Sequence, residues 1–423
     1  MVPSGWERKP LIKVADVRTG AAKGKKGLKD PIEVPYLRVA NVQDGYIDLS
    51  EVKTIQIERH HLERYSLQAG DVLMTEGGDF DKLGRGDVWK GQIEPCLNQN
   101  HVFAVRVDQS VLIPSFLAAL SGSHYGKTYF LSCAKRSTNL ASINSTQLKE
   151  FPVLIPPLPE QRKIAKILST WDKAIAKTEK LIETSKQQKK ALMQQLLTGK
   201  KRLVNPETGK AFEGEWEEVK LRELGHTFNG LTGKTKEDFG DGAKYIPYIN
   251  IFNNSSVRID QLDKVKINRD EKQNVVKYGD VFFTTSSETP EEVGMSSVIL
   301  VVPSESIYLN SFCFGFRPNN LDKTVPEFMQ FLLRANQVRR SISVLAQGAT
   351  RYNLSKIQLL KISVNLPNTN EQQKIASVLT AADKEIETLE TKLAHFKQEK
   401  KALMQQLLTG KRRVKVDELE EVS

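Results

Sequence analysis

Two stretches of this chain carry side chains of one seam at a spacing of four and three residues in alternation, held over five heptads. The first passes through Ile164, Leu168, Trp171, Ile175, Thr178, Ile182, Ser185, Lys189, Leu192 and Leu196. The second passes through Ile375, Leu379, Ala382, Ile386, Leu389, Leu393, Phe396, Lys400, Leu403 and Leu407. A seam that returns every 3.5 residues predicts two long helices packed as a coiled coil. Prolines precede each stretch (Pro156, Pro157 and Pro159; Pro367), and Thr-Gly-Lys ends each, a glycine stop with a cationic flank. From Glu160 to Thr198 the rise amounts to a rod of about 58 Å.

The helices belong to a repeat. KKALMQQLLTGK occupies 189–200 and again 400–411, an offset of 211 that also aligns EQRKIAKIL at Glu160 with EQQKIASVL at Glu371. Weaker matches precede each helix: WERKPL with WEEVKL, PYLRVANV with PYINIFNN, GDVLMT with GDVFFTT, and CLNQNHVFAVR with YLNSFCFGFRP. The order is domain, helix, domain, helix. Short β-rich runs such as VFAVRV and SVILVV mix with helical pieces at PSFLAAL and PEFMQFLL, so each domain reads as mixed α/β (α+β). The boundaries expected are 1–155 for the first domain, 156–202 for its helix, 203–366 for a linker and the second domain, 367–413 for the second helix, and 414–423 for an acidic tail. The second helix must run back along the first to bury its seam, which makes the pair antiparallel and the plan pseudo-two-fold. Lys189 and Lys400 lie on the seams, and their stems are expected to pack while their heads stay wet.

Length and charge narrow the class. The 423 residues suffice for two or three units with their own cores. The net charge of +11 favours a polyanionic partner. Residues 160–202 alone carry +8, whereas 203–370 are neutral. Cys96, Cys133 and Cys313 stand far apart, which excludes a disulfide scaffold and a cysteine-built zinc site and fits a reducing compartment. No run approaches 18 apolar residues and the first ten residues hold no apolar leader, so no membrane contact and a cytoplasmic location are expected.

Within the domains the basic residues gather in loops. Lys23, Lys25, Lys26 and Lys29 stand among glycines that let backbone approach a phosphate chain, and Lys234 and Lys236 occupy the corresponding place. Arg136, Thr138 and Asn139 of KRSTN face Thr350, Arg351, Tyr352 and Asn353 of GATRYN. These residue types read base edges and phosphates, and all thirteen are candidate DNA contacts. Catalytic chemistry is not legible. GLTGKT lacks the first glycine of a phosphate-binding loop, where Phe228 stands, and Ile155-Pro156-Pro157-Leu158 is the only Pro-Pro and lacks the polar and aromatic partners of an amino-methyltransferase element. The six histidines show no metal-ligand spacing. No catalytic residue, metal or cofactor is assigned to the chain.

Two diverged domains, each followed by a near-identical helix that opens on PLPEQRKIAKIL or LPNTNEQQKIASVL and closes on ALMQQLLTGK, resemble the specificity subunit of type I restriction–modification systems over essentially the whole chain. The resemblance implies a non-catalytic DNA-recognition subunit that reads a split, asymmetric double-stranded DNA site, one half per domain. It implies assembly with two methyltransferase subunits that use S-adenosylmethionine, and with restriction subunits that use ATP and Mg. The competing reading is a coiled-coil assembly scaffold without sequence readout.

Overall fold

The computed structural model describes residues 2–24, 27–80, 83–137, 140–348 and 350–416. The chain divides into two compact units, residues 1–180 with 391–423, and residues 181–390. Each unit therefore takes one end of each long helix, Leu158–Leu196 and Thr369–Leu407.

In the first unit an antiparallel sheet runs in the order Ala15–Thr19, Val102–Val107, Val72–Thr75, Gly86–Val88. Val72–Thr75 is buried along its whole length, as a continuous apolar run flanked by a glycine turn requires. One face of the sheet packs with Phe116, Leu117, Phe130 and Phe151, and with Ile164 and Leu168 of the first helix and Leu407 and Leu408 of the second. A second sheet orders Lys53–Glu58, Pro31–Leu37 and Leu97–Asn98, the last pair parallel. Strand Glu7–Pro10 pairs with Pro152–Ile155, which delivers the chain to the helix.

The second unit repeats this plan. Its four-stranded sheet runs Gly225–Asn229, Cys313–Pro318, Val281–Thr284, Ser296–Val298. Asp263–Val265, Phe239–Ile246 and Ile307–Leu309 form the three-stranded sheet, and Glu217–Lys220 pairs with Ser363–Leu366. The matched GDV segments have a physical cause. Buried Asp71 accepts from Gln68 N–H (2.8 Å) and from Arg106 (2.8 Å), while Asp280 accepts from Lys277 N–H (2.7 Å) and Arg317 (2.7 Å). Each carboxylate closes a turn and pins it to the neighbouring strand.

All twenty seam positions are buried or half-buried, including Trp171, Ile175, Ile182, Leu192, Ile386, Leu389, Leu393 and Leu403. The helix pair is antiparallel within each unit. In the first, Glu179 meets Lys397 (2.7 Å), and Trp171 meets Phe396 edge-on at 5.6 Å. In the second, Lys186 meets Glu390 (2.7 Å). The seam lysines pack their stems, and their heads meet half-exposed aspartates. Lys400 pairs with Asp172 and Lys189 with Asp383, because an aspartate one seam position across removes the cost of a half-buried ammonium.

The helix starts are latched. Gln161 accepts from Ile113 N–H (2.8 Å) and donates to the carbonyls of Val111 and Pro156 (2.8 Å each). Gln372 repeats this on Val325 N–H (3.0 Å) and the carbonyls of Lys323 (3.0 Å) and Pro367 (2.9 Å). Beside them, Glu160 takes Arg413 (3.0 Å) and the Trp6 indole N–H (3.0 Å), and Glu371 takes Arg202 (2.6 Å). Arg413 also donates to Ser4 O (2.7 Å), which ties the segment after the second helix to the first residues described in the first unit.

Two expectations are corrected. The stretch after the first helix is not a free linker: Leu203–Phe212 folds into a hairpin with Phe212 buried, closed by bonds between Asn205 and Lys210 and between Phe212 and Leu203. PYLRVANV and PYINIFNN are displaced by three residues. Tyr36-Leu37 and Tyr245-Ile246 occupy the same strand positions, and buried Asn41 matches Asn250, each donating to two carbonyls of the following loop.

Candidate nucleic-acid interface

Each unit carries a small hairpin on a side strand of its fold. In the first, Lys135–Arg136 pairs with Ala141–Ser142, which pairs with Gly77–Gly78. A Cβ on Gly77 would lie 2.8 Å from the Ala141 carbonyl, so only glycine lets the strands approach here. Thr138 and Asn139 lie outside the described residues. Arg136 is exposed, with one nitrogen donating to Leu131 O (2.7 Å) and its plane 6.0 Å from the Phe80 ring. In the second domain Tyr352–Asn353 pairs with Ser286–Ser287, and Asn353 exchanges two main-chain bonds with Gln347 (2.8 and 3.1 Å). Thr350 and Arg351 are exposed on the tip between these anchors, Tyr352 is half-buried, and Asn353 is exposed. The structure therefore brings the second group together on one hairpin.

The glycine-rich loops differ. Lys23, Lys29 and Lys236 are exposed, and Lys25 and Lys26 lie outside the described residues. Lys234 is corrected. Its side chain is only 2 % exposed and its ammonium lies 2.6 Å from Glu271, which it holds below the usual carboxylate range. It closes the loop from inside and offers no charge to a ligand.

Sequence reasoning missed two rings at one backbone position. The His101 carbonyl accepts from Glu76 N–H (3.0 Å), and the Phe312 carbonyl accepts from Thr285 N–H (2.9 Å). Both residues therefore sit where a central strand opens into the strand bearing the hairpin. Phe312 is 64 % exposed, and His101 is exposed with its Nδ1 2.6 Å from Glu76. The match of CLNQNHVFAVR with YLNSFCFGFRP sets His101 opposite Cys313, and only a one-residue shift, the one that relates Arg106 to Arg317, brings His101 to Phe312. Also missed were Arg334 and Arg339. Arg334 donates to the carbonyls of Ser296, Ile251, Phe252 and Asn254, and Arg339 to those of Gly294, Glu291 and Val293. Burial pulls both down to about 10, so each stays cationic at neutral pH while fixing the loops around Ser286–Ser287.

Rigid frames, polar tips and exposed rings suit base edges and phosphates; among the described residues no nucleophile and base converge on them. Among the described residues no helix is long and apolar enough to cross a membrane.

The family model for the type I restriction modification DNA specificity domain matches twice, at residues 3–186 and 213–398. The type I restriction enzyme MjaX specificity subunit of Methanocaldococcus jannaschii is 27% identical over 98% of this chain and 95% of its own length. The MjaVIII specificity subunit of the same organism is 29% identical over 98% and 94%. A solved structure from work on complex assembly and conformational transition of the type I restriction–modification system superposes with a TM-score of 0.62 at 16% identity, covering 97% of this chain and all of its own.

Proposed function

Since the chain belongs to the type I restriction–modification DNA specificity family, as the two matched domains show, we propose that it reads a split double-stranded DNA site with one half-site per domain. It is the DNA-recognising, non-catalytic component of such a system. The observation that carries the half-site reading is one hairpin frame built twice with different tips: Arg136 and Ser137 on the first, Thr350 and Arg351 on the second. Equal frames with unequal chemistry are what two different half-sites demand. The recognition domains are taken as 1–155 and 203–366, with the helices of 156–202 and 367–413 holding the spacing between half-sites. Lys23, Lys25, Lys26, Lys29 and Lys236 supply phosphate contacts; Arg136, Thr138, Asn139, Thr350, Arg351, Tyr352 and Asn353 supply base contacts, joined by His101 and Phe312.

The partners are methyltransferase and restriction subunits. S-adenosylmethionine, ATP and Mg belong to those subunits and not to this chain. The latches at Gln161 and Gln372 recur 211 residues apart with the same bonds, which supports two equivalent docking places and hence two methyltransferase subunits. Such a complex acts in the cytoplasm, in defence against phage DNA.

The experiment is an exchange of residues 1–155 for the same domain of a relative, read by mapping methylated sites in DNA from cells carrying the complex. One half of the recognised sequence should change. A change of both halves together would reject one half-site per domain, and unchanged binding to cognate and random duplex would favour a scaffold.

A further inference from the structure

Glu58 ends the strand Lys53–Glu58, and one turn of 3-10 helix, Arg59–His61, follows it. The tight turn folds both histidines back over the carboxylate. Glu58 Oε2 lies 3.6 Å from His60 Nε2 and 3.5 Å from His61 Nδ1, and the three ligating atoms lie within 4.8 Å of one another. The two imidazoles stand side by side with centroids 3.9 Å apart. These separations are long for hydrogen bonds. They are close to the edge of a zinc tetrahedron, since two donors about 2.1 Å from the metal stand about 3.4 Å apart. We propose that Glu58, His60 and His61 form a site for a zinc-class divalent transition metal ion that pins the root of the basic loop 20–30 in the first recognition domain.

The other carboxylate oxygen supports this. Glu58 Oε1 accepts the main-chain N–H of Lys29 (3.0 Å), the outer hydrogen bond that orients a ligating carboxylate. Arg59 holds the adjacent residue, its guanidinium on the Asp30 carboxylate (2.9 Å) and its N–H on the Asp30 carbonyl (3.1 Å). The proposed ligand turn is thus tied to the loop at two consecutive residues. His60 is exposed while Glu58 and His61 are half-buried, which leaves room for water as a fourth ligand. Two nitrogens and one oxygen select zinc, cobalt, nickel or copper over magnesium or calcium, which take oxygen. The second domain places no histidine there: Tyr36 pairs with Lys53 as Tyr245 pairs with Asp263, which sets Asn268, Asp270 and Glu271 at the positions of Glu58, His60 and His61. The ion would hold Lys29 and Asp30 in the first domain alone.

Metal binding is measured on the full chain without DNA, so its failure leaves the DNA-reading proposal untouched. With Co²⁺ as the probe, equilibrium dialysis should give one bound ion per chain and the intense visible absorption of tetrahedral cobalt, displaced by Zn²⁺. His60→Ala with His61→Ala should weaken binding about tenfold or more and abolish the absorption. Glu58→Gln, which keeps an acceptor for Lys29, should also lose the tetrahedral spectrum. Hydrogen exchange of the Lys29 and Arg59 amides should slow on adding Zn²⁺ to the native chain and not to the double histidine variant. Absence of bound cobalt in the native chain, the same spectrum in the double variant, or equal slowing in both chains would each overturn the proposal.

Discussion

Asp172 on the first long helix receives the ammonium of Lys400 on the second, and 211 positions on, Asp383 receives Lys189. The same duplication links Glu179–Lys397 with Lys186–Glu390, and Glu160–Arg413 with Arg202–Glu371. Every pair has its acid from one repeat and its base from the other.

That complementarity sets register. Asp172→Lys places a second ammonium group beside that of Lys400 and should destabilise the first unit by about 1 kcal/mol, the scale of a partly exposed pair. Adding Lys400→Asp should restore most of the loss. Urea unfolding of the two single variants and the double variant checks this; strictly additive losses would show that the pair does not couple.

Because one repeat holds both the acids and the bases, residues 1–202 carry everything needed to pair with a second copy of themselves. Asp172 would meet Lys189, Glu179 would meet Lys186, and Glu160 would meet Arg202 of the other copy. This fragment should sediment as a dimer, and Asp172→Lys in it should shift the species towards monomer. A fragment that stays monomeric at micromolar concentration would refute the interchange.

On the second hairpin, Arg351→Ala should reduce discrimination between cognate and single-mismatch duplex by about 1–3 kcal/mol, with the midpoint of unfolding unchanged. Phe312→Ala should weaken cognate binding similarly, since an exposed ring contributes little to folding. Competition binding at fixed salt, beside a thermal melt, separates readout from stability. Equal weakening on random duplex would identify a phosphate contact instead.

The cysteines report burial. Desolvation pushes Cys96 up to about 12 and Cys313 higher still, so at pH 8 almost none of either is thiolate, the reactive form. Cys133 is only half-buried. An aromatic disulfide reagent at pH 8 should therefore titrate one thiol, removed by Cys133→Ser, and three after unfolding. Two fast thiols in the folded chain would contradict this packing.

The helices were legible because a 3.5-residue seam is a local property that survives without knowledge of the partner, and the repeat declared itself through identical residues. The asparagines showed the limit of that method. PYLRVANV and PYINIFNN share a Pro-Tyr pair, but Tyr36 pairs with Leu97 and Tyr245 with Tyr308, so topology sets a register that identity misses. Lys234 misled for a related reason: Glu271, which covers its charge, is 37 residues away and arrives only through the tertiary fold. His101 and Phe312 share a backbone bond and no chemistry, and residue type alone could not join them.

The first unit is made of 1–180 and 391–423, the second of 181–390 without interruption. During synthesis the second can therefore close as soon as its last residue leaves the ribosome. The first must wait with Ile164 and Leu168 uncovered, because the Leu407 and Leu408 that pack with them are made at the very end. The domain translated first is thus the last to be finished, and a chain cut short before Leu407 leaves the first unit without its closing residues. A chain truncated within the second unit therefore shows an open apolar stripe until the Leu196 and Leu197 of another copy, which cover Ile375 and Leu379 in the full chain, take the place of Leu407 and Leu408.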